Sequence, residues 1–164
     1  MAKSTKTNAM RLLDKAGVAY SALTYQVDEN DLAATHVAEQ LGEDINQVFK
    51  TLVLRGERTG LFVCVIPGNK EVDLRKAARA AGDKKAEMIA MKELLGATGY
   101  IRGGCSPIGM KKPLPTFFDS SALRHDFIFV SAGVRGMQLR MHPQELIDFT
   151  GATTTSLVKD NDDE

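Results

Sequence analysis

The sequence predicts a mixed α/β fold, a curled, barrel-like sheet with helices packed around it. Three observations point there. Apolar runs of strand length alternate with amphipathic segments that stop at glycine. Some strand-like runs are joined by turns too short for a crossover helix, as at 56–60, so hairpins mix with βα connections. The chain has 164 residues, 43% hydrophobic and 26% charged, enough for one core in one domain.

The elements follow in order. A first helix starts near Thr7 and ends before Gly17, with Met10, Leu12, Leu13 and Ala16 as its apolar stripe. Residues 19–26 read as a strand. Ala34 to Leu41 reads as a helix stopped by Gly42, and Gln47-Val48 as a short turn. Phe49 to Leu54 and Leu61 to Ile66 form a strand pair, broken by Pro67-Gly68-Asn69. Asp73 caps a helix that reaches Ala81 before Gly82. Met91 to Leu95 gives a short helix ended by Gly96. The stretch from Gly103 to Gly109 is a shaped loop. Thr116–Asp119, Phe127–Ser131 and Met137–Met141 read as strands, and Pro143 opens a last helix ended by Gly151. One domain over 1–157 is expected, followed by an acidic, disordered tail over 158–164.

Composition narrows the function. No apolar run is long enough to span a bilayer, and no signal-peptide core follows Met1 to Thr7. Two cysteines, Cys64 and Cys105, make no disulfide framework, so a cytoplasmic setting fits. Net charge is zero. Four of the 21 acidic residues lie in the last five positions, which leaves 17 against 21 basic residues, an excess of +4 over the body. That is a weak signal for a polyanion. Arg75, Lys76 and Arg79, with Lys84, Lys85, Lys111 and Lys112, could meet phosphates or simply be solvated. Two cysteines and three histidines (His36, His125 and His142) show no ligand spacing, so neither a metal nor a cofactor is expected.

Two features could carry chemistry. Lys50 interrupts the apolar run Val48-Phe49-Lys50-Thr51-Leu52, where an ammonium must reach a pocket, a strand edge or an anion. In Gly103-Gly104-Cys105-Ser106-Pro107-Ile108-Gly109, glycines let backbone N–H groups converge on an oxyanion. The loop lacks the Gly-Lys-Ser/Thr ending of a P-loop and the spacing of a dinucleotide fingerprint. Cys105 has no histidine near it in sequence, which disfavours a thiol nucleophile.

Taken together, five stretches resemble the YbaK/EbsC family of aminoacyl-tRNA deacylases, whose domain also occurs inserted in prolyl-tRNA synthetases. They are Thr24-Tyr25, Val48 to Leu52, Gly99 to Gly109, Leu114-Pro115-Thr116, and Val130 to Gly136. The similarity runs from Arg11 to about Leu157. It implies an editing-domain fold and deacylation of a mischarged tRNA, with prolyl-tRNA synthetase as a partner. The free-standing Cys-tRNA(Pro) deacylases are the nearest members. The resemblance places the family lysine at Lys50, the pocket glycine at Gly103, a pocket tyrosine at Tyr25 and a rim serine at Ser131. It implies that the thiol of the misattached cysteine attacks its own ester, with Gly103 and Gly104 as oxyanion donors. Phe49, Thr51, Ser106, Pro107, Arg135 and Gln138 complete the expected substrate contacts. Family members carry aspartate where this chain has Gln138. Other readings stay open: an Ala- or Ser-tRNA deacylase, a non-catalytic aminoacyl-end or nucleotide-binding module, and, less well supported, a cysteine hydrolase.

Overall fold

The computed structural model describes residues 6–160. Helix α1 (Asn8–Ala16) begins where the Thr7 hydroxyl accepts from the Met10 N–H. It ends at Gly17, whose φ of +71° is left-handed. Strand β1 (Ser21–Thr24) is shorter than 19–26. Helix α2 (Ala34–Leu41) stops at Gly42, and a 3-10 turn (Ile45–Gln47) leads into the hairpin β2 (Phe49–Gly56) and β3 (Gly60–Pro67). Asp73 accepts from the N–H groups of Arg75 and Lys76 and starts α3 (Leu74–Ala80). Then come β4 (Ala86–Met88), a 3-10 turn (Met91–Glu93) and α4 (Leu94–Thr98). Gly96 lies inside α4, and Gly99 ends it. Strand β5 (Thr116–Asp119) leads into a 3-10 turn (Ser120–Arg124). Strands β6 (Ile128–Ser131) and β7 (Met137–Met141), α5 (Pro143–Thr150) and β8 (Thr153–Thr155) complete the order. No helix among the described residues is long and apolar enough to cross a membrane.

The strands form two sheets, one ordered β4-β2-β3-β5-β8 and one ordered β1-β7-β6. The first is mixed: β2 pairs antiparallel with β3 and β4, while β3–β5 and β5–β8 are parallel. The α/β expectation holds, but the barrel-like one does not, because neither sheet closes. Edge strands β4 and β8 have three residues each, and among the described residues the sheets meet in one parallel bridge, Val48↔Phe129. Beyond that rung β6 continues in no ladder with β2.

The main core lies between the sheets. Phe49, Val53, Val65 and Phe118 from one meet Ile128, Val130, Leu139 and Met141 from the other, with Leu13 and Leu146 closing the ends. Each fully buried large side chain of this kind contributes about 1.5–3 kcal/mol. The other face of the β2–β3 hairpin packs Leu54, Phe62, Cys64 and Ile66 against Ala77 and Leu157. Val158 bridges Val72, Lys159 pairs with Glu71 at 3.0 Å, and Asp160 pairs with Lys76 at 2.9 Å. The rest of the expected tail, 161–164, lies outside the described residues, as does the segment 1–5.

Candidate active site

Where β2 and β6 part, a cavity of about 470 Å³ opens between them. Residues 49–53 of β2 form one wall, and Ser131 and Gln138, partners in the β6–β7 register, form part of the opposite one. Gly103 and Cys105 enter from the glycine loop. Residues 32–34 and the segment Met88–Met91 complete the rim.

The β2 edge is open by construction. The Val53 C=O accepts from the Ile89 N–H at 3.3 Å, so odd-numbered residues of β2 direct their backbone groups away from β3. β4 pairs only with Leu54–Gly56. The backbone N–H and C=O of Thr51 therefore point away from β3, to a side where no strand among the described residues pairs with them. The rim at residues 88–94 is pinned by Glu93, which meets Arg55 at 2.6 Å and accepts from the Ala90 N–H.

Lys50 is half-buried and lines this cavity. Its ammonium forms no ion pair or hydrogen bond within the described residues. Burial pushes its ammonium pKa down, and the more distant Glu71 carboxylate pulls it partly back. A bound anion or oxygen-rich group would relieve that penalty.

The loop is braced from within. The Thr98 hydroxyl donates to the Leu94 C=O at 2.8 Å and accepts from the Tyr100 N–H at 3.0 Å. The Lys111 N–H donates to the Thr98 C=O at 2.9 Å, closing the loop at its neck. The Tyr100 hydroxyl donates to the Ile108 C=O, and burial pushes that phenol up to about 12. Gly103 has φ +85°, and a Cβ there would meet Arg135 Nε and Leu32 Cδ2, both at 3.3 Å. The backbone conformation thus favours glycine, and a side chain would also have to displace these two neighbours by a few tenths of an ångström. The Gly103 and Cys105 N–H groups have no acceptor among the described residues.

Of the residues expected at the site, Phe49, Lys50, Thr51, Gly103, Ser131 and Gln138 line one cavity. Tyr25, Gly104, Ser106, Pro107 and Arg135 do not. Gly104 is corrected as a donor, because its N–H already binds the Ile101 C=O at 2.9 Å. Ser106 is buried under the loop, where its hydroxyl accepts from the Ile108 N–H, and Pro107 is buried beside it. Arg135 Nε donates to the Arg102 C=O at 2.8 Å, so it clamps the loop from outside. Tyr25 packs behind the wall against the cluster of Val37, Val48 and Phe129. The Cys105 thiol is buried and pushed up to about 12, which works against a thiolate nucleophile near neutral pH. Sequence reading missed Met88–Met91 as part of the rim.

Comparison with known proteins adds to this geometry. Residues 29–149 match the model of the aminoacyl-tRNA editing domain. The chain is 50% identical over 145 residues to "Putative Cys-tRNA(Pro)/Cys-tRNA(Cys) deacylase EbsC" of Enterococcus faecalis, covering 88% of each chain. It is 31% identical over 74 residues to a proline–tRNA ligase of Thermosipho melanesiensis, covering 45% of this chain and 13% of that one. A solved structure described as a "putative trans-editing enzyme for prolyl tRNA synthetase" superposes with a TM-score of 0.81 at 25% identity, covering 95% of this chain and all of the other. The resemblance read from the motifs therefore holds, and the chain belongs to the aminoacyl-tRNA editing domain family.

Proposed function

We propose that the cavity takes the aminoacyl end of a mischarged tRNA and that the protein deacylates Cys-tRNA(Pro). One observation carries the reading: a half-buried lysine without a counterion lines the same cavity as Gly103 and Cys105, whose N–H groups have no acceptor among the described residues. Its volume of about 470 Å³ suits an aminoacyl ribose and excludes the body of a tRNA. Lys50 holds a ribose or phosphate oxygen of the terminal adenosine. Gly103 and Cys105 donate to the ester carbonyl as negative charge develops on its oxygen.

No side chain of the described cavity serves as a nucleophile, so the substrate supplies its own. The cysteinyl sulfur attacks the carbonyl carbon, an S–C bond forms and the C–O bond to the ribose breaks. The thiol proton passes through solvent to the departing 3′ oxygen. A cysteine thiolactone leaves, and water later opens it to cysteine. Tethering of thiol and ester replaces a catalytic triad. A pocket of this size senses the amino acid rather than the tRNA, which supports prolyl-tRNA synthetase as the partner that hands over the tRNA, and a cytoplasmic setting. Residues 1–157 act as one domain in this reading.

Deacylation of Cys-tRNA(Pro), Ala-tRNA(Pro) and Ser-tRNA by the wild type and Lys50→Ala tests it. Release of cysteine in preference to alanine or serine, with a loss of about tenfold or more in Lys50→Ala, is expected. Equal rates in the wild type and Lys50→Ala would remove Lys50 as the anchor. A preference for alanine or serine would exclude the substrate-thiol route.

A further inference from the structure

Two buried side-chain polar atoms among the described residues lack any hydrogen-bond partner, Thr51 Oγ1 and Gln138 Oε1, and both residues line the cavity. Gln138 is only 5% exposed, so its amide oxygen cannot be dismissed as solvated surface. Buried polar atoms are almost always satisfied, and an orphan is costly unless something fills the role. Gln138 is held across from Ser131 by the β6–β7 register, and Thr51 reaches in from β2. Ser131 is not a third orphan, since its hydroxyl accepts from the Gly133 N–H at 3.1 Å. The two unpartnered atoms thus belong to opposite walls; the amide oxygen can only accept and the hydroxyl can accept as well as donate, so a group with two donor hydrogens matches both.

We infer that Gln138 and Thr51 form an acceptor subsite for the free α-amino group of the aminoacyl ester, with Gln138 as the residue that sets specificity for an unblocked amine. The inference rests on the deacylase reading. With Lys50 on the nucleotide and the Gly103 and Cys105 N–H groups on the carbonyl, the remaining strong donor on the substrate is the amine on the adjacent carbon. A thiol is a weak donor and satisfies two buried oxygens poorly. An N-acyl group replaces two of the amine's donor positions with a bulky carbonyl and leaves the oxygens unpaired. Sites built around a substrate donor reject analogues that lack it far more strongly than apolar pockets reject a missing methylene. The subsite therefore selects aminoacyl esters over N-blocked or peptidyl esters.

The test compares Cys-tRNA(Pro) with N-acetyl-Cys-tRNA(Pro) in the wild type, Gln138→Leu, Gln138→Glu and Thr51→Val, reading kcat/KM for each substrate. The ratio of the two within one variant is independent of the fraction folded. The wild type is expected to favour the free amine by about tenfold or more, equally at pH 6 and pH 8 because a neutral acceptor takes either amine form. Gln138→Leu should lower kcat/KM for the free amine about 10- to 100-fold and bring the ratio close to one. Thr51→Val should lower the ratio less, and Gln138→Glu should keep it. An unchanged ratio in Gln138→Leu, or equal rates for both substrates in the wild type, overturns the inference while leaving the deacylase reading standing. A change in Cys-over-Ser preference with no change in the amine ratio would assign the pair to the side chain and overturn it too. Failure of the wild type on every charged tRNA removes the deacylase reading and this subsite with it.

Discussion

Gly68→Ala probes the wall that carries the cavity. A Cβ at Gly68 would lie 2.2 Å from the Ala34 Cβ and 2.9 Å from the Val48 carbonyl oxygen. The first contact is about 1.2 Å short of the 3.4 Å at which ordinary contact begins. The φ of Gly68 is not in the left-handed region, so crowding is the only new strain. Neither neighbour can yield by a rotamer change. Ala34 is the first residue of α2, and the Val48 carbonyl is held by the Gly68 N–H at 2.8 Å. The helix start must shift. Overpacking of this kind costs about 1–3 kcal/mol, or roughly 2–12 °C in Tm for a chain of this size. Thermal unfolding followed by circular dichroism measures it. Ala34→Gly removes the clash from the other side, so the double variant should recover at least about 1 kcal/mol relative to the sum of the singles. Gly68→Ala as stable as the wild type, or a double variant showing no recovery, would refute the reasoning.

Two further outcomes follow from named contacts. Asp83 accepts from the N–H groups of Arg58 and Thr59 and from the Thr59 hydroxyl, and these bonds hold its carboxyl well below the usual range. Because the folded value is depressed, the stabilisation is full above the ordinary value of 3.8 and is lost as pH falls through the folded one. The Tm gap between the wild type and Asp83→Asn should therefore be constant near neutrality and narrow in acid, and a gap that stays constant down to pH 2 contradicts this. Cys105→Ser should keep deacylation within about threefold, and native Cys105 should react slowly with iodoacetamide at pH 8, because burial holds its thiol at about 12. Rapid alkylation that abolishes activity would restore the cysteine hydrolase.

Much of the fold is legible where local chemistry decides it. Thr7 and Gly17 bound α1, Asp73 opens α3, and Pro143 and Gly151 bound α5, each through a cap visible in the sequence. The misses are tertiary. Ala86–Met88 and Thr153–Thr155 are too short to show a period and become strands only because β2 and β5 offer free edges. Gly96 looks like a stop, yet α4 runs past it to Thr98 and ends at Gly99. The barrel-like expectation came from hairpins mixed with βα connections, a pattern that does not decide closure, and in the fold β2 and β6 separate after one rung. At the site, Lys50 and Gly103 stand out as residues that conflict with their surroundings. Gly104, Ser106 and Arg135 look equally suited in sequence, but each hydrogen-bonds within or against the loop instead, which only three dimensions reveal.

A hollow left by two diverging strands is a doorway without a door. Its walls are ladder strands, loop and short helical turns, and the Met91 side chain at its rim stands 58% exposed. Many enzymes must shut such an entrance, because stray water would destroy an intermediate they need to keep. For an ester that is meant to be destroyed, water wandering in only does the same job more slowly. An open threshold is therefore no handicap to this fold, and each visit need last no longer than one bond takes to break.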